Sequence, residues 1–227
     1  MTALITGSSK GIGKAITLKM IESGIEVYGI SRTSSNICSP LFHEHLMDLT
    51  DTKKLMQTLS GICSLTSIDI LINNAGCGYY GLHEELDAGK IHEMITTNFE
   101  VPAIITNYLL RGFKKNGGTI INISSVTAKR CNPHGAVYGA TKAALTSFSN
   151  SIFAEARKYG VRVCAIHPEM TDTELYRNAD FEADRSKGYC LYPETIADCV
   201  MNVINQDTGV AVNDITINPQ FHRIKRK

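Results

Sequence analysis

Tyr138 and Lys142 stand four residues apart, so on a helix they share one face. A phenol titrates near ~10 and is a poor acid or base at neutral pH. An ammonium within a few ångströms favours the phenolate, and the pair can then exchange a proton with a carbonyl. The spacing alone says little, because a chain of this size holds a chance Tyr-x-x-x-Lys roughly every second time. Its neighbours say more. Ser124 and Ser125 close an apolar run at 119–123, and Asn73-Asn74-Ala75-Gly76 closes another at 68–73. In an open parallel sheet both sets of polar groups fall at the carboxyl edge, where ligands bind.

A second constellation lies near the start. Thr6-Gly7-Ser8-Ser9-Lys10-Gly11-Ile12-Gly13 follows the apolar Ala3-Leu4-Ile5 and opens a helical pattern. Glycines let the backbone approach a pyrophosphate, and a helix N-terminus offers it N–H donors. A NAD-binding fold places an acid about 20 residues on, for the ribose 2′-hydroxyl, where a 2′-phosphate needs a cation. Here the second strand ends Ile30-Ser31-Arg32-Thr33, with no acid, and Lys10 sits in the glycine loop. A guanidinium can grip a phosphate bidentately, so the reading is NADP(H) rather than NAD(H).

The elements that must hold these groups alternate. Strands are expected over 3–5, 26–31, 45–48, 68–73, 119–123, 162–167 and 214–218. Helices are expected over 13–23, 51–63, 90–115, 138–159 and 194–205, with Pro102 kinking or splitting the third. Strands alternating with helices of ten or more residues mean βαβ units. The fold class is α/β, a Rossmann-like doubly wound parallel sheet with helices on both faces. With 227 residues, no repeats and no linker, a single domain over residues 1–227 is expected, with a short substrate loop at about 173–192.

Composition excludes several classes. Hydrophobic residues at 43% and charged residues at 20% give a globular chain. Lys+Arg 23 against Asp+Glu 22 leaves no field to draw nucleic acid or anionic membrane. The basic RIKRK at 223–227 reads as a solvated tail. The start MTALITGSS lacks the features of a signal peptide, and no apolar run approaches the ~20 residues of a membrane span. The seven cysteines form no CxxC pair. A reduced, cytoplasmic protein with free thiols and no bound metal is expected.

TGSSKGIG, NNAG at 73–76, Asn98, Ser124-Ser125 and YGATK at 138–142 together resemble the short-chain dehydrogenase/reductase family, in order and separation, across residues 2 to about 205. Tyr138 follows Ser125 by 13 residues and Asn98 by 40, as in that family's pattern. The resemblance implies that Ser125 polarises a carbonyl and that Tyr138 is general acid in reduction and general base in oxidation. Lys142 would lower the tyrosine pKa and hold the nicotinamide ribose, and Asn98 would keep a water in the proton relay. It further implies cofactor contacts from Gly7, Ser9, Lys10, Gly11, Ile12 and Gly13, from Arg32 and Thr33, and from Asp48 and Leu49 at the adenine. Asn74, Ala75 and Gly76 would flank the adenine-side ribose. Thr171 and Thr173 follow the sixth strand, and Thr173 fits the contact to the nicotinamide carboxamide.

Two departures stand out. Glu169 replaces the family glycine after Pro168, bringing a charge near the nicotinamide, and Thr171 replaces an aliphatic residue. The segment 173–192 is short for a lid, which suggests a small or open substrate site built from 77–82, 127–134 and 171–192. His134 is near enough to Tyr138 to touch substrate, although a polar loop residue is the simpler reading. The helix from Tyr138 is apolar on more than one face, with Ala140, Ala143, Ala144, Leu145, Phe148, Ile152, Phe153 and Ala156. A homodimer or homotetramer is therefore expected. The function expected is NADP(H)-dependent hydride transfer to or from a small-molecule carbonyl or secondary alcohol. The alternative is a catalytically silent dinucleotide-binding regulator or scaffold. An epimerase or dehydratase fits the glycine spacing and chain length less well.

Overall fold

The computed structural model describes residues 1–221 and 223–227. Strands β1 (Thr2–Thr6), β2 (Glu26–Ser31), β3 (Phe42–Leu46), β4 (Ile70–Asn73), β5 (Gly118–Ile123) and β6 (Val161–Pro168) build most of the main sheet. With β8 (Asp214–Ile217) they form seven parallel strands in the order β3-β2-β1-β4-β5-β6-β8. The order reverses between β1 and β4, which opens a crevice at their carboxyl ends. The helices are α1 (Gly11–Glu22), α2 (Thr52–Leu65), α3 (Ala88–Ile95), α4 (Val101–Asn116), α5 (Ala136–Ala156) and α6 (Pro193–Ile204).

The central strands are mostly apolar because both faces are covered, with buried polar residues at Thr6, Asn73 and Asn122. On β1, Ala3 and Ile5 join one core cluster and Leu4 the other; on β4, Ile70 and Ile72 oppose Leu71 in the same way. One cluster takes Ile16 and Met20 of α1 and Ile196 and Val200 of α6. The other takes Leu55 and Leu59 of α2 and Ile105, Leu109 and Phe113 of α4. Among the described residues no helix is long and apolar enough to cross a membrane.

The elements follow the sequence reading with shifted ends; the third strand and the tail differ from it, and the 90–115 helix is split as Pro102 implies. The third strand runs Phe42–Leu46 rather than 45–48. Asp48 lies beyond it in a turn, where its carboxylate accepts from the Thr50 amide at 2.9 Å. The expected helix over 90–115 is broken into α3 and α4 by a π turn, Thr96–Glu100, with Pro102 in the first turn of α4. The backbone stays helical through the turn, and the Val101 amide reaches the Thr96 carbonyl in a wider π bond. The basic tail is not simply solvated. Strand β9 (Ile224–Arg226) pairs antiparallel with β7 (Phe181–Ala183) inside the 173–192 segment.

Candidate functional site

Thr6 ends β1 and its hydroxyl organises the switch point. Oγ1 accepts from the amides of Asn74 and Ala75, each at 3.1 Å. The Asn74 side-chain amide donates to the carbonyls of Thr6 (2.9 Å) and Gly7 (3.1 Å). The NNAG turn is thus latched to the glycine loop. The latch leaves no room for side chains: a Cβ on Gly7 would lie 2.9 Å from the Ala75 Cα, at a φ of +72°, and one on Gly13 would lie 2.1 Å from the Gly7 carbonyl oxygen. Gly13 is the close-packing glycine between loop and helix. The first turn of α1 has no side-chain cap and no acidic residue, so its orphan N–H groups face the crevice unneutralised.

The crevice is a cavity of about 320 Å³. Gly7, Ser9, Lys10, Gly11 and Ile12 line its first part, with Arg32 and Thr33 from the end of β2. Asp48 and Leu49 line it beyond β3, and Asn74, Ala75 and Gly76 beyond β4. Ser9 and Thr33 hydroxyls lie 3.2 Å apart and bridge the two loops. Each cation here has a carboxylate partner: Arg32 meets Glu93 at 3.4 Å and Lys10 meets Glu174 at 3.1 Å. Glu93 is itself held by the Tyr79 hydroxyl at 2.7 Å. Both cations are more than half exposed, so these ion pairs are weak and exchangeable. The Asp48 carboxyl is held below its usual range, chiefly by the Thr50 amide.

At the other end of the cavity lie Ser124, Ser125, Tyr138 and Lys142. The two serines divide their work. Ser124 Oγ donates to the Lys142 carbonyl (3.0 Å) and meets Thr146 Oγ1 (2.9 Å), anchoring α5. Ser125 Oγ accepts from the Thr127 amide and hydroxyl, at 3.2 and 3.0 Å. It also lies against the Tyr138 phenol. Lys142 is buried, and its Nζ donates to the Ile123 carbonyl at 2.8 Å and sits 5.8 Å from the centre of the Tyr138 ring. Burial pulls its pKa down to about 8.

The phenol is not lowered as the i, i+4 spacing predicts. Burial pushes the Tyr138 pKa up, Tyr176 adds to the rise, and a hydrogen bond with Ser125 opposes it. Burial is the largest cause, and the Lys142 ammonium is engaged by the Ile123 carbonyl. In this geometry the buried phenol favours its neutral form.

Asn98 lies in the π turn, fully buried and behind the cavity wall. Its side chain accepts from the Cys77 amide and donates to the Cys77 carbonyl, both at 2.9 Å, and donates to Thr141 Oγ1 at 3.1 Å. It clamps the turn after β4 to α5. A buried chain of amides and hydroxyls does the same deeper down: Asn73 donates to Asn122 (2.8 Å) and Asn122 to Ser149 (2.7 Å). Asn122 and Ser149 carry no motif signal, because their partners come from separate elements of the fold; Asn73 also reaches Thr106 and Ser149 also donates to the Leu145 carbonyl.

Thr171, Thr173 and Glu169 line the cavity after β6, and Glu169 pairs with Arg130. The 3₁₀ turn Glu174–Asn178 contributes Leu175, Tyr176, Arg177 and Asn178 to the wall. The segment is therefore a cover rather than an open edge. The tail holds it there: Lys227 Nζ donates to the carbonyls of Tyr176 (2.9 Å), Arg177 (3.2 Å) and Ala179 (2.9 Å). Of the other expected pocket segments, Cys77 and Gly78 line the cavity, while 127–134 does not. His134, at a φ of +62°, accepts from the Gly81 amide and closes a loop instead.

A doubly wound sheet whose switch-point crevice joins a glycine turn to a buried Tyr–Lys–Ser group defines the dinucleotide-binding oxidoreductases. The chain belongs to one family of these: the short chain dehydrogenase profile matches residues 1–183. A probable NADP-dependent dehydrogenase of Haemophilus influenzae is 31% identical, covering 96% of this chain and 93% of that one. A serine 3-dehydrogenase of Rhizobium radiobacter is 30% identical, with the same coverage of 96% and 93%. Among solved structures, a 4-hydroxyisoleucine dehydrogenase mutant complexed with NADH and succinate superposes with a TM-score of 0.87 at 22% identity, covering 97% of this chain and 98% of that one. This last likeness speaks for the fold alone.

Proposed function

We propose that this oxidoreductase uses NADP(H) to interconvert a small carbonyl compound and its secondary alcohol, with Tyr138 as the general acid and base. The observation that carries the reading is a single cavity with the uncapped N-terminus of α1 and Arg32 at one end and Ser125, Tyr138 and Lys142 at the other. A dinucleotide fits the first end, where the glycine loop packs too closely on Asn74 and Ala75 for side chains at Gly7 and Gly13 and leaves the uncapped N–H groups of α1 for a pyrophosphate. Arg32, Lys10, Ser9 and Thr33 would hold the adenine side and its 2′-phosphate. Lys142, Thr171 and Thr173 would hold the nicotinamide side. Such a group supplies the hydride.

The chain supplies the rest. Ser125 donates to the substrate oxygen and fixes its position. Tyr138, kept protonated by burial, gives that oxygen its proton in reduction and receives it back in oxidation. Lys142 stabilises the phenolate while the proton is away, and its position turns on the Ile123 carbonyl. Glu169 and Arg177 put one charge of each sign on the wall. With the serine 3-dehydrogenase relative, they make a small 3-hydroxy acid bearing an amino group the first substrate to test. The α4–α5 face carries an apolar groove lined by Phe99, Ile104, Leu110, Phe148 and Ile152, which suits packing on a second copy.

Titration with NADPH and NADH, followed by nicotinamide fluorescence, tests the reading. Tighter binding of NADPH, with turnover lost and binding kept in Tyr138→Phe, is expected. Tighter NADH binding would overturn the role of Arg32 and Lys10. No binding of either would overturn the dinucleotide reading itself, and binding without turnover would favour a silent scaffold.

A further inference from the structure

His167, the next-to-last residue of β6, is the one buried histidine among the described residues. Its ring bridges two strands. Nδ1 lies 3.1 Å from the Ser125 carbonyl oxygen, and Nε2 lies 3.1 Å from Asp214 Oδ2 at the start of β8. The Ser125 carbonyl also accepts from the Ala128 amide at 3.0 Å. Asp214 is half-exposed and paired with Lys129, whose Nζ also donates to Thr216 Oγ1 at 2.9 Å. The next charged pair along the sheet edge is Glu169 with Arg130.

The two contacts make unequal demands on one ring. A carbonyl only accepts, and so does an ionised carboxylate. A neutral imidazole has a single N–H and satisfies one of them; the imidazolium satisfies both. When the ring is neutral its proton favours Asp214, because a hydrogen bond to an ionised acceptor is the stronger. Nδ1 then presents a lone pair to the Ser125 carbonyl, and the attraction becomes a repulsion. Ser125 stands at the junction of β5 and its following turn, so its main chain aims its hydroxyl.

We infer that His167 is a positioning residue for Ser125: a proton on the ring ties the Ser125 main chain to Asp214, and loss of that proton releases it. The half-exposed Asp214 and Lys129 give the buried ring its link to solvent. Burial lowers the His167 pKa and Lys129 lowers it further, while the Ser125 carbonyl and Asp214 act in the opposite direction. Release therefore occurs on the acid side of the ordinary histidine range. The inference rests on the reading of Ser125 as the carbonyl-binding serine.

The test is NMR on the full chain, labelled with ¹⁵N and ¹³C, from pH 4.5 to 8. Long-range ¹H–¹⁵N correlations report the His167 ring nitrogens, and the ¹³C′ shift reports the Ser125 carbonyl. The expected result is one shared midpoint for both, with Nδ1 losing its proton signature as pH rises. In Asp214→Asn the midpoint should move down, and in Lys129→Met it should move up. In His167→Gln the Ser125 carbonyl should no longer respond to pH. Asp214 and Lys129 are surface positions, so their variants remain informative if His167→Gln does not fold. A Ser125 carbonyl that stays flat while His167 titrates would overturn the inference, as would Asp214→Asn and Lys129→Met moving the midpoint in one direction. Failure of NADPH to bind the same sample would instead remove the functional reading, leaving the His167–Ser125 coupling intact.

Discussion

The two walls of the cavity are held by different kinds of interaction. The inner wall, formed by β4, β5 and α5, is fixed by buried polar groups with nearly complete hydrogen bonding: Thr6 to Asn74, Asn73 to Asn122 to Ser149, and Asn98 to Cys77. The outer wall, from Glu174 through the β7–β9 ribbon, is held by exposed pairs such as Lys10–Glu174, Arg185–Asp172 and Lys225–Glu182. Removing one partner of a buried hydrogen bond costs about 1–3 kcal/mol, whereas an exposed ion pair contributes about 0–1 kcal/mol. Ser125, Tyr138 and Lys142 thus sit on the more firmly held wall. The cover's exposed ion pairs add little, so its hold rests on the Lys227 strap and the Tyr80–Tyr176–Phe181 rings.

The largest effect that would break this contrast is chemical. Tyr138→Phe should lower turnover by roughly 10²–10⁴-fold with NADPH affinity within twofold of the parent, measured by steady-state rates and fluorescence titration. Activity that survives would move the proton to another group.

Asn98→Ala should destabilise the fold by about 2–5 kcal/mol, because it leaves the Cys77 amide and carbonyl buried without partners. Urea denaturation measures this. The matching change on the cover, Lys225→Ala, should move stability by less than about 0.5 kcal/mol. Equal losses in the two variants would erase the distinction between the walls.

Lys142→Met should separate stability from activity. A lysine whose folded pKa is about 8 against 10.5 unfolded destabilises the folded state wherever both states are charged. The penalty is complete below pH 8 and fades as pH rises toward 10.5. The neutral variant should therefore be more stable at pH 7 by up to about 3 kcal/mol, less the lost bond to Ile123, and this gain should vanish near pH 10.5. Turnover should fall at every pH.

The smallest effects belong to the cover and the cation site. Truncation after Phe221 should raise hydrogen exchange over 174–183 and raise the substrate KM severalfold with kcat little changed. Arg32→Ser should weaken NADPH binding by roughly tenfold and leave NADH binding as it was. Loss of both cofactors together would place Arg32 on the shared part of the dinucleotide.

Much of the inner wall was legible in the sequence. Glycines 7, 11 and 13 mark a loop that no side chain can enter, and their requirement is local. Tyr138 and Lys142 declare their shared face by spacing, and the 13-residue interval selects Ser125 over Ser124. The strands announce themselves because burial on both faces fills them with apolar residues, with few polar positions between. The protonation of Tyr138 was not legible, since it depends on where Lys142 Nζ finds its carbonyl and on how deeply the ring is buried.

The sequence by itself determined the class of fold and the glycine turn, because each rests on contacts between residues close in the chain or on a repeated pattern. Tertiary structure alone decided that Asn98 clamps a turn, that His167 bridges Ser125 to Asp214, and that a basic tail straps the cover through Lys227. Those partners lie 21, 42 and 47, and about 50 residues apart. Their pairing is set by which strands and turns the folded sheet brings side by side, and no local spacing encodes that.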